Sequence, residues 1–355
     1  MSTPSPIATP LCELLGIRHP ILQAGMGYVA RADLCAAVSR AGGLGVIGAA
    51  SLSAAELREE IRKVKDATDR PFGVDILFAT VGRPQGDDAT VRFTSEVERQ
   101  LDVVFEERVA VLASGLGDPG PVVPTAHSLG MKVLALVGNT HNARRVARSG
   151  VDVVVAQGYD GGGHTGQVGT LALVPAIVDA VDVPVVAAGG IADGRQIAAA
   201  FAMGAVGVWL GTRFIASAEA YSHDNYKQRV VEIDDEGTIR TRCFSGKPCR
   251  VIRNRTTSAW EAPELQAQIL PFPRQFGVIG KWLGKDPYIA GRREGDVEIG
   301  ALAAGQSAAV IRDVRPAGEI VERLVAETTH ALARLPAGAA VRATAATPTA
   351  PDARV

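Results

Sequence analysis

The residues of this chain that could do chemistry collect in four glycine-dense segments. The most unusual is Gln157-Gly158-Tyr159-Asp160-Gly161-Gly162-Gly163-His164-Thr165-Gly166, which holds a single imidazole and no aliphatic residue to anchor it in a core. Ordering so many glycines costs backbone entropy, so a bound group or a close backbone approach must offset it. An imidazole titrates near neutrality, which suits His164 to proton transfer. Ala24-Gly25-Met26-Gly27 offers small residues against which a planar ring can lie on the backbone. Ala188-Gly189-Gly190-Ile191-Ala192-Asp193-Gly194 and Leu210-Gly211-Thr212-Arg213-Phe214 present backbone N–H groups of the kind that hold a phosphate. The phosphate reading is shared by cofactors and phosphorylated metabolites alike.

Other chemistries lack their signatures. No HExxH or clustered histidines suggest a metal, so no metal is expected, and no GxSxG elbow supplies a serine nucleophile. Cys12, Cys35, Cys243 and Cys249 form no CxxC pair and read as reduced thiols. A phosphate-holding protein without metal or nucleophile depends on an organic cofactor for difficult chemistry.

The elements that must position these loops alternate strand with helix. Short apolar runs fall at 21–23, 45–47, 72–77, 109–112, 132–136, 151–156, 183–187 and 207–210. Runs such as VDVVVA and VPVVAA are apolar at consecutive positions, as strands buried on both faces of a parallel sheet require. Ser53 and Glu56 form a capping box at the head of SAAELREEIRKVKDAT, and Gly150 ends another helix. Eight such units, with the phosphate-type glycines after the seventh and eighth strands, predict an α/β protein with a (β/α)₈ TIM barrel rather than a doubly wound sheet. The periodicity stops near Tyr221. The expected organisation is a flexible N-terminus at 1–10, a barrel at 11–221, a smaller, mainly helical cap at 222–302, a return with the closing helix at 303–335, and a disordered tail at 336–355.

The bulk numbers agree with a soluble enzyme. Of 355 residues, 47% are hydrophobic and 21% charged, ordinary values for a globular chain with a large core. A net charge of −1 gives no electrostatic case for nucleic acid or a membrane surface, which leaves a small-molecule substrate. The N-terminus resembles no signal peptide and no apolar run reaches spanning length, so a cytoplasmic location is expected, with a homodimer compatible.

Taken together, HPILQAGMG, AGGLGVIGAASLS, DRPFGVD, VVVAQGYDGGGHTG, VPVVAAGGIADGRQIAAAFAMGAVGVWLGTRF and AAGQ resemble the nitronate monooxygenase (2-nitropropane dioxygenase-like) family of FMN enzymes, from about Leu11 to Leu335. That family includes flavin-dependent enoyl-acyl-carrier-protein reductases and acyl-CoA dehydrogenases of steroid-ring degradation. The resemblance implies FMN as cofactor, with Ala24, Gly25 and Met26 at the ring, Gln157, Gly161, Gly162 and Gly163 along the flavin, and Gly189, Gly190, Gly211 and Thr212 at its phosphate. It further implies that Gly305 and Gln306 approach the site, and that His164 is the catalytic histidine. Two positions depart from the family's pattern. Asp75 stands where Asn is common at a flavin-contacting position, and AGM replaces APM. An ionised Asp75 would disfavour an anionic reduced flavin, so it is expected to be protonated or turned away.

The first expected reaction is oxidation of alkyl nitronates or nitroalkanes with dioxygen to a carbonyl compound and nitrite, with His164 removing the α-proton of a neutral nitroalkane. The second is reduction or dehydrogenation of an acyl thioester with NAD(P)H, in which Lys247, Arg250, Arg253 and Arg255 could meet a phosphate. The third, a sugar-phosphate lyase or isomerase without flavin, lacks a Lys or Glu at a strand end.

Overall fold

The computed structural model describes residues 5–78 and 94–335. Eight strands run parallel in one sheet: β1 (Ile21–Gln23), β2 (Gly45–Gly48), β3 (Phe72–Leu77), β4 (Val111–Leu116), β5 (Lys132–Val137), β6 (Val153–Gln157), β8 (Val185–Ala188) and β9 (Gly207–Leu210). The two-residue β7 (Gly163–His164) lies between β6 and β8 in sequence and belongs to a separate sheet. The order β1-β9-β8-β6-β5-β4-β3-β2 is that of a barrel. It closes where β1 meets β2 at the single bridge Leu22–Leu44. At that seam the Gln23 side chain replaces missing ladder bonds, its Oε1 accepting from Val46 N and its Nε2 donating to Val46 O, both at 3.1 Å.

Alternation along the strands builds two cores, since successive side chains point to opposite faces. Leu22, Val46, Val111, Ala113, Leu134, Val153, Val155, Val186 and Trp209 fill the barrel, and Leu11 and Leu15 join them from the helix Pro10–Leu15. Ile21, Ile47, Val74, Leu112, Val133, Val154, Ala187 and Val208 face outward to the helices. The last helix, Ala317–Ala333, packs on Gly194–Ala202, where a side chain at Gly194 would lie 2.3 Å from the Glu327 backbone. The Ser53 capping box forms as its sequence indicates.

Three strands start two residues later than their apolar runs. Val109, Val151 and Val183 lead into the barrel from turns, the first two after Arg108 and Gly150 at positive φ, before the ladder begins. Ser5 and Ile7 are buried, and Ser5 Oγ lies 2.7 Å from His19 Nδ1, so the packed chain begins before the barrel boundary expected at residue 11. The expected tail at 336–355 lies outside the described residues. The insert after β9 is mainly helical, and it also supplies β10 (Thr238–Thr241) and β11 (Cys249–Ile252). These join β7 in an antiparallel three-stranded sheet, with Cys249 opposite His164 and Arg250 opposite Gly163.

Candidate active site

The glycine-dense segments meet at the C-terminal mouth of the barrel. Gly158 N donates to Ala188 O at 2.9 Å, joining the loop after β6 to the end of β8. Asp160 is the joint of the loop: its Oδ2 accepts from Thr170 N at 2.7 Å and its carbonyl accepts from Gln306 N at 2.9 Å. Thr212 Oγ1 accepts from Gly305 N at 2.9 Å, so the return segment is held against the loop after β9. Gly162 is forced by this closeness, because a Cβ there would stand 2.7 Å from the Ala304 carbonyl carbon and 2.8 Å from Gly305 N. Gly189 and Gly190 adopt φ of 94° and 72°, a region that favours glycine. Ala24, Met26 and Gly211 adjoin one another across the mouth, and Gly163, also at positive φ, has open space where a side chain would be.

His164 is held from three sides. Its backbone pairs with β11, its carbonyl accepts from Gln157 Nε2 at 3.2 Å, and the Phe272 ring meets the imidazole edge-on with centroids 6.1 Å apart. Its Nε2 lies 2.8 Å from Ser245 Oγ. Ser245 Oγ in turn donates to Lys247 O at 3.2 Å and accepts from Lys247 N at 3.3 Å. A serine that gives its proton to Lys247 O accepts from His164 Nε2–H and leaves Nδ1 basic, whereas one that gives it to Nε2 makes Nδ1 the protonated nitrogen. Burial lowers the imidazole pKa to about 4, with Lys247 and Arg292 adding smaller repulsion. The ring is therefore neutral and able to accept a proton near pH 7.

Asp75, near the end of β3, is 5% exposed. Burial lifts its pKa well above the carboxylate range, against a smaller lowering by the Gly115 backbone, and its Oδ1 has no hydrogen-bond partner among the described residues. Burial therefore favours the neutral acid over the carboxylate at this position. A Cβ at Gly25 would overlap the Asp75 side chain at 2.2 Å, so the two departures from the family pattern, AGM and Asp75, touch each other.

The basic cluster expected from the sequence is dispersed. Arg253 is exposed and pairs with Glu261 at 3.5 Å, and Arg255 is exposed. Lys247 stands over the Phe272 ring beside His164, and Arg250 is buried with its guanidinium over the Tyr159 ring. Sequence reasoning missed Ser245 and Arg292. Ser245 carries no spacing signal. Arg292 reaches the mouth from a distant helix, donating to Gly27 O at 2.9 Å and to Ala301 O at 3.1 Å.

A TIM barrel with a glycine-lined mouth, a phosphate-type corner and an orphaned acid facing small residues fits a flavin, and the class so defined is a flavin-dependent oxidoreductase. The chain belongs to the nitronate monooxygenase family, whose profile matches residues 8–327. It is 32% identical to the nitronate monooxygenase of Paraburkholderia phytofirmans, covering 92% of this chain and 96% of that protein. It is 34% identical to (3aS,4S,5R,7aS)-5-hydroxy-7a-methyl-1-oxo-octahydro-1H-indene-4-carboxyl-CoA dehydrogenase of Mycobacterium tuberculosis, covering 91% and 97%. Among solved structures, FabK from Thermotoga maritima superposes with a TM-score of 0.81 at 36% identity, covering 92% of this chain and 97% of that one. No helix among the described residues is long and apolar enough to cross a membrane.

Proposed function

We propose that the flavin is FMN and that the chain oxidises alkyl nitronates and nitroalkanes with dioxygen, yielding a carbonyl compound and nitrite. The observation that carries this reading is the neutral, buried imidazole of His164 facing uncompensated positive charge. Neither Lys247 nor Arg292 has a carboxylate partner among the described residues, and both raise the local potential at His164. With Ser245 giving its proton to Lys247 O, a base in such a field removes the α-proton of a neutral nitroalkane at Nδ1 and the field favours the nitronate anion that results. Bound FMN supplies the electron transfer.

Ala24, Gly25 and Met26 hold the ring, with Asp75, as a neutral acid, free to donate from its buried carboxyl. Gln157, Gly161, Gly162 and Gly163 line the flavin. Gly189, Gly190, Gly211 and Thr212 would receive the phosphate, and Gly305 and Gln306 approach the site from the return segment. Phe272 and the insert keep water from the imidazole.

His164→Ala should retain flavin and lose turnover of neutral nitroalkanes by about 10²–10⁴-fold while sparing preformed nitronates. Unchanged nitroalkane turnover, or a variant purified without flavin, would remove His164 from this role.

A second reading, acyl-thioester oxidoreduction with NAD(P)H, is favoured by one observation, the pair of unpaired arginines at Tyr159. Rapid anaerobic bleaching of the flavin by NAD(P)H selects it, and nitronate oxidation needs no such step.

A further inference from the structure

The geometry points to a binding site for a phosphate ester, separate from the flavin-phosphate corner, formed by Arg240, Arg250 and Tyr159 where the insert meets the loop after β6. Arg240 and Arg250 face each other in register across β10 and β11. Both guanidiniums lie against the same ring, at 5.2 Å and 4.6 Å from the Tyr159 centroid. Arg250 is 3% exposed, its Nε donating to Tyr159 O at 3.3 Å and its Nη1 to Thr238 Oγ1 at 3.1 Å. Its Nη2 is buried with no partner, and so is Arg240 Nε. Neither arginine has a carboxylate within ion-pair distance among the described residues.

Two like charges on neighbouring strands, one fully buried, are costly without a counter-ion. A tyrosine ring relieves part of this through cation–π attraction, but it leaves the two N–H groups unused. An anion with several acceptor oxygens satisfies both, and planar guanidinium groups match phosphate oxygens in bidentate fashion. Access lies at Arg240 and Tyr159, which are half-buried, while the two unused N–H groups lie beneath the surface, so an anion reaches them as these side chains shift. Tyr159 sits two residues from Gln157 and directly before Asp160, so a ligand arm anchored here begins beside the flavin loop. Nitronate oxidation makes no use of such an arm. The ligand class is a phosphate or diphosphate ester, supplied either by the nucleotide portion of a bulky substrate or by free phosphate compounds.

The test measures binding of inorganic pyrophosphate, ADP and coenzyme A to the flavin-loaded protein by calorimetry at low and high salt, with Arg240→Gln and Arg240→Lys beside the wild type. Arg240 is the chosen position because it is half-buried and its replacement leaves the Arg250 bonds to Tyr159 and Thr238 in place. Arg240→Gln should weaken every probe by about tenfold or more, Arg240→Lys should recover part of the loss, and flavin content should stay stoichiometric. Coenzyme A binding at least tenfold tighter than pyrophosphate supports the site and names a substrate arm as its source. Equal affinities support the site and name free phosphate. Wild-type protein that binds none of the probes at millimolar concentration overturns the proposal, as does an Arg240→Gln variant with wild-type affinity. Loss of flavin from Arg240→Gln also overturns it, by assigning the guanidinium to the cofactor. None of these outcomes depends on nitronate turnover, so the reading of His164 stands or falls separately.

Discussion

Replacing Phe272 by Ala should move the acid limb of catalysis further than removing the charge of Lys247. Burial is the leading reason that His164 titrates at about 4 instead of 6.5, and Lys247 and Arg292 come after it. A base must be unprotonated, so kcat/KM for a neutral nitroalkane falls as pH drops through the pKa of His164. At pH 5.5 an ordinary imidazole is roughly nine-tenths protonated, whereas a group with pKa about 4 is about 3% protonated. The wild-type profile should therefore be flat from about pH 5.5 upward on this side. Phe272 meets the imidazole edge-on at 6.1 Å, and truncating it lets water reach a polar ring. Recovering roughly one of the 2.5 pH units would raise the protonated fraction at pH 5.5 about eightfold, to near a quarter. Lys247→Met removes only a half-buried, solvent-screened charge and should shift the limb upward by about half a unit or less. The assay is anaerobic flavin reduction by nitroethane between pH 4.5 and 8. A wild-type limb at or above pH 6, or a larger shift in Lys247→Met than in Phe272→Ala, would refute the assignment of burial as the dominant cause.

Three further outcomes follow from the same geometry. Gly162→Ala drives a methyl group into the Ala304–Gly305 backbone and should cost about 1–3 kcal/mol, read as a lower melting temperature together with faster flavin release on dilution. Thr212→Val removes the acceptor of Gly305 N and leaves that donor buried, which should cost about 1–3 kcal/mol and weaken flavin retention in equilibrium dialysis. Asp75 has a folded-state pKa raised above that of the unfolded chain, so the folded state binds more protons and stability is lost as pH rises from about 4 through the folded pKa. Asp75→Asn should abolish that loss; thermal melts of the flavin-free protein at pH 5 and 8 that converge no better in the variant would contradict it.

The barrel was legible because both-face burial writes itself into consecutive apolar residues such as Val153, Val154 and Val155, and each of the eight barrel strands overlapped one of the apolar runs. Strand starts were less so, since Val109 and Val151 are as apolar as the ladder residues they precede. The insert hid its strands: Thr238–Thr241 and Cys249–Ile252 are four residues each and carry arginines inward, against the usual apolar pattern. The histidine loop stood out through glycine density, but its partner Ser245 is 81 residues away and only the three-dimensional turn brings it within 2.8 Å. The cationic residues were visible as a sequence cluster, yet spacing did not separate the exposed Arg253 and Arg255 from the buried Arg250.

The pairing of β7 with β11 bears on how such an enzyme can be re-engineered. The strand that presents His164 takes its hydrogen-bond partner from the insert, while the glycines just before it lean on the return segment. Scaffold and insert are thus not exchangeable modules in the manner of a cassette. A chimera that transplants the insert of a relative must carry over a strand matching Cys249–Ile252 in register, or it will deliver a new specificity lobe over a misplaced imidazole.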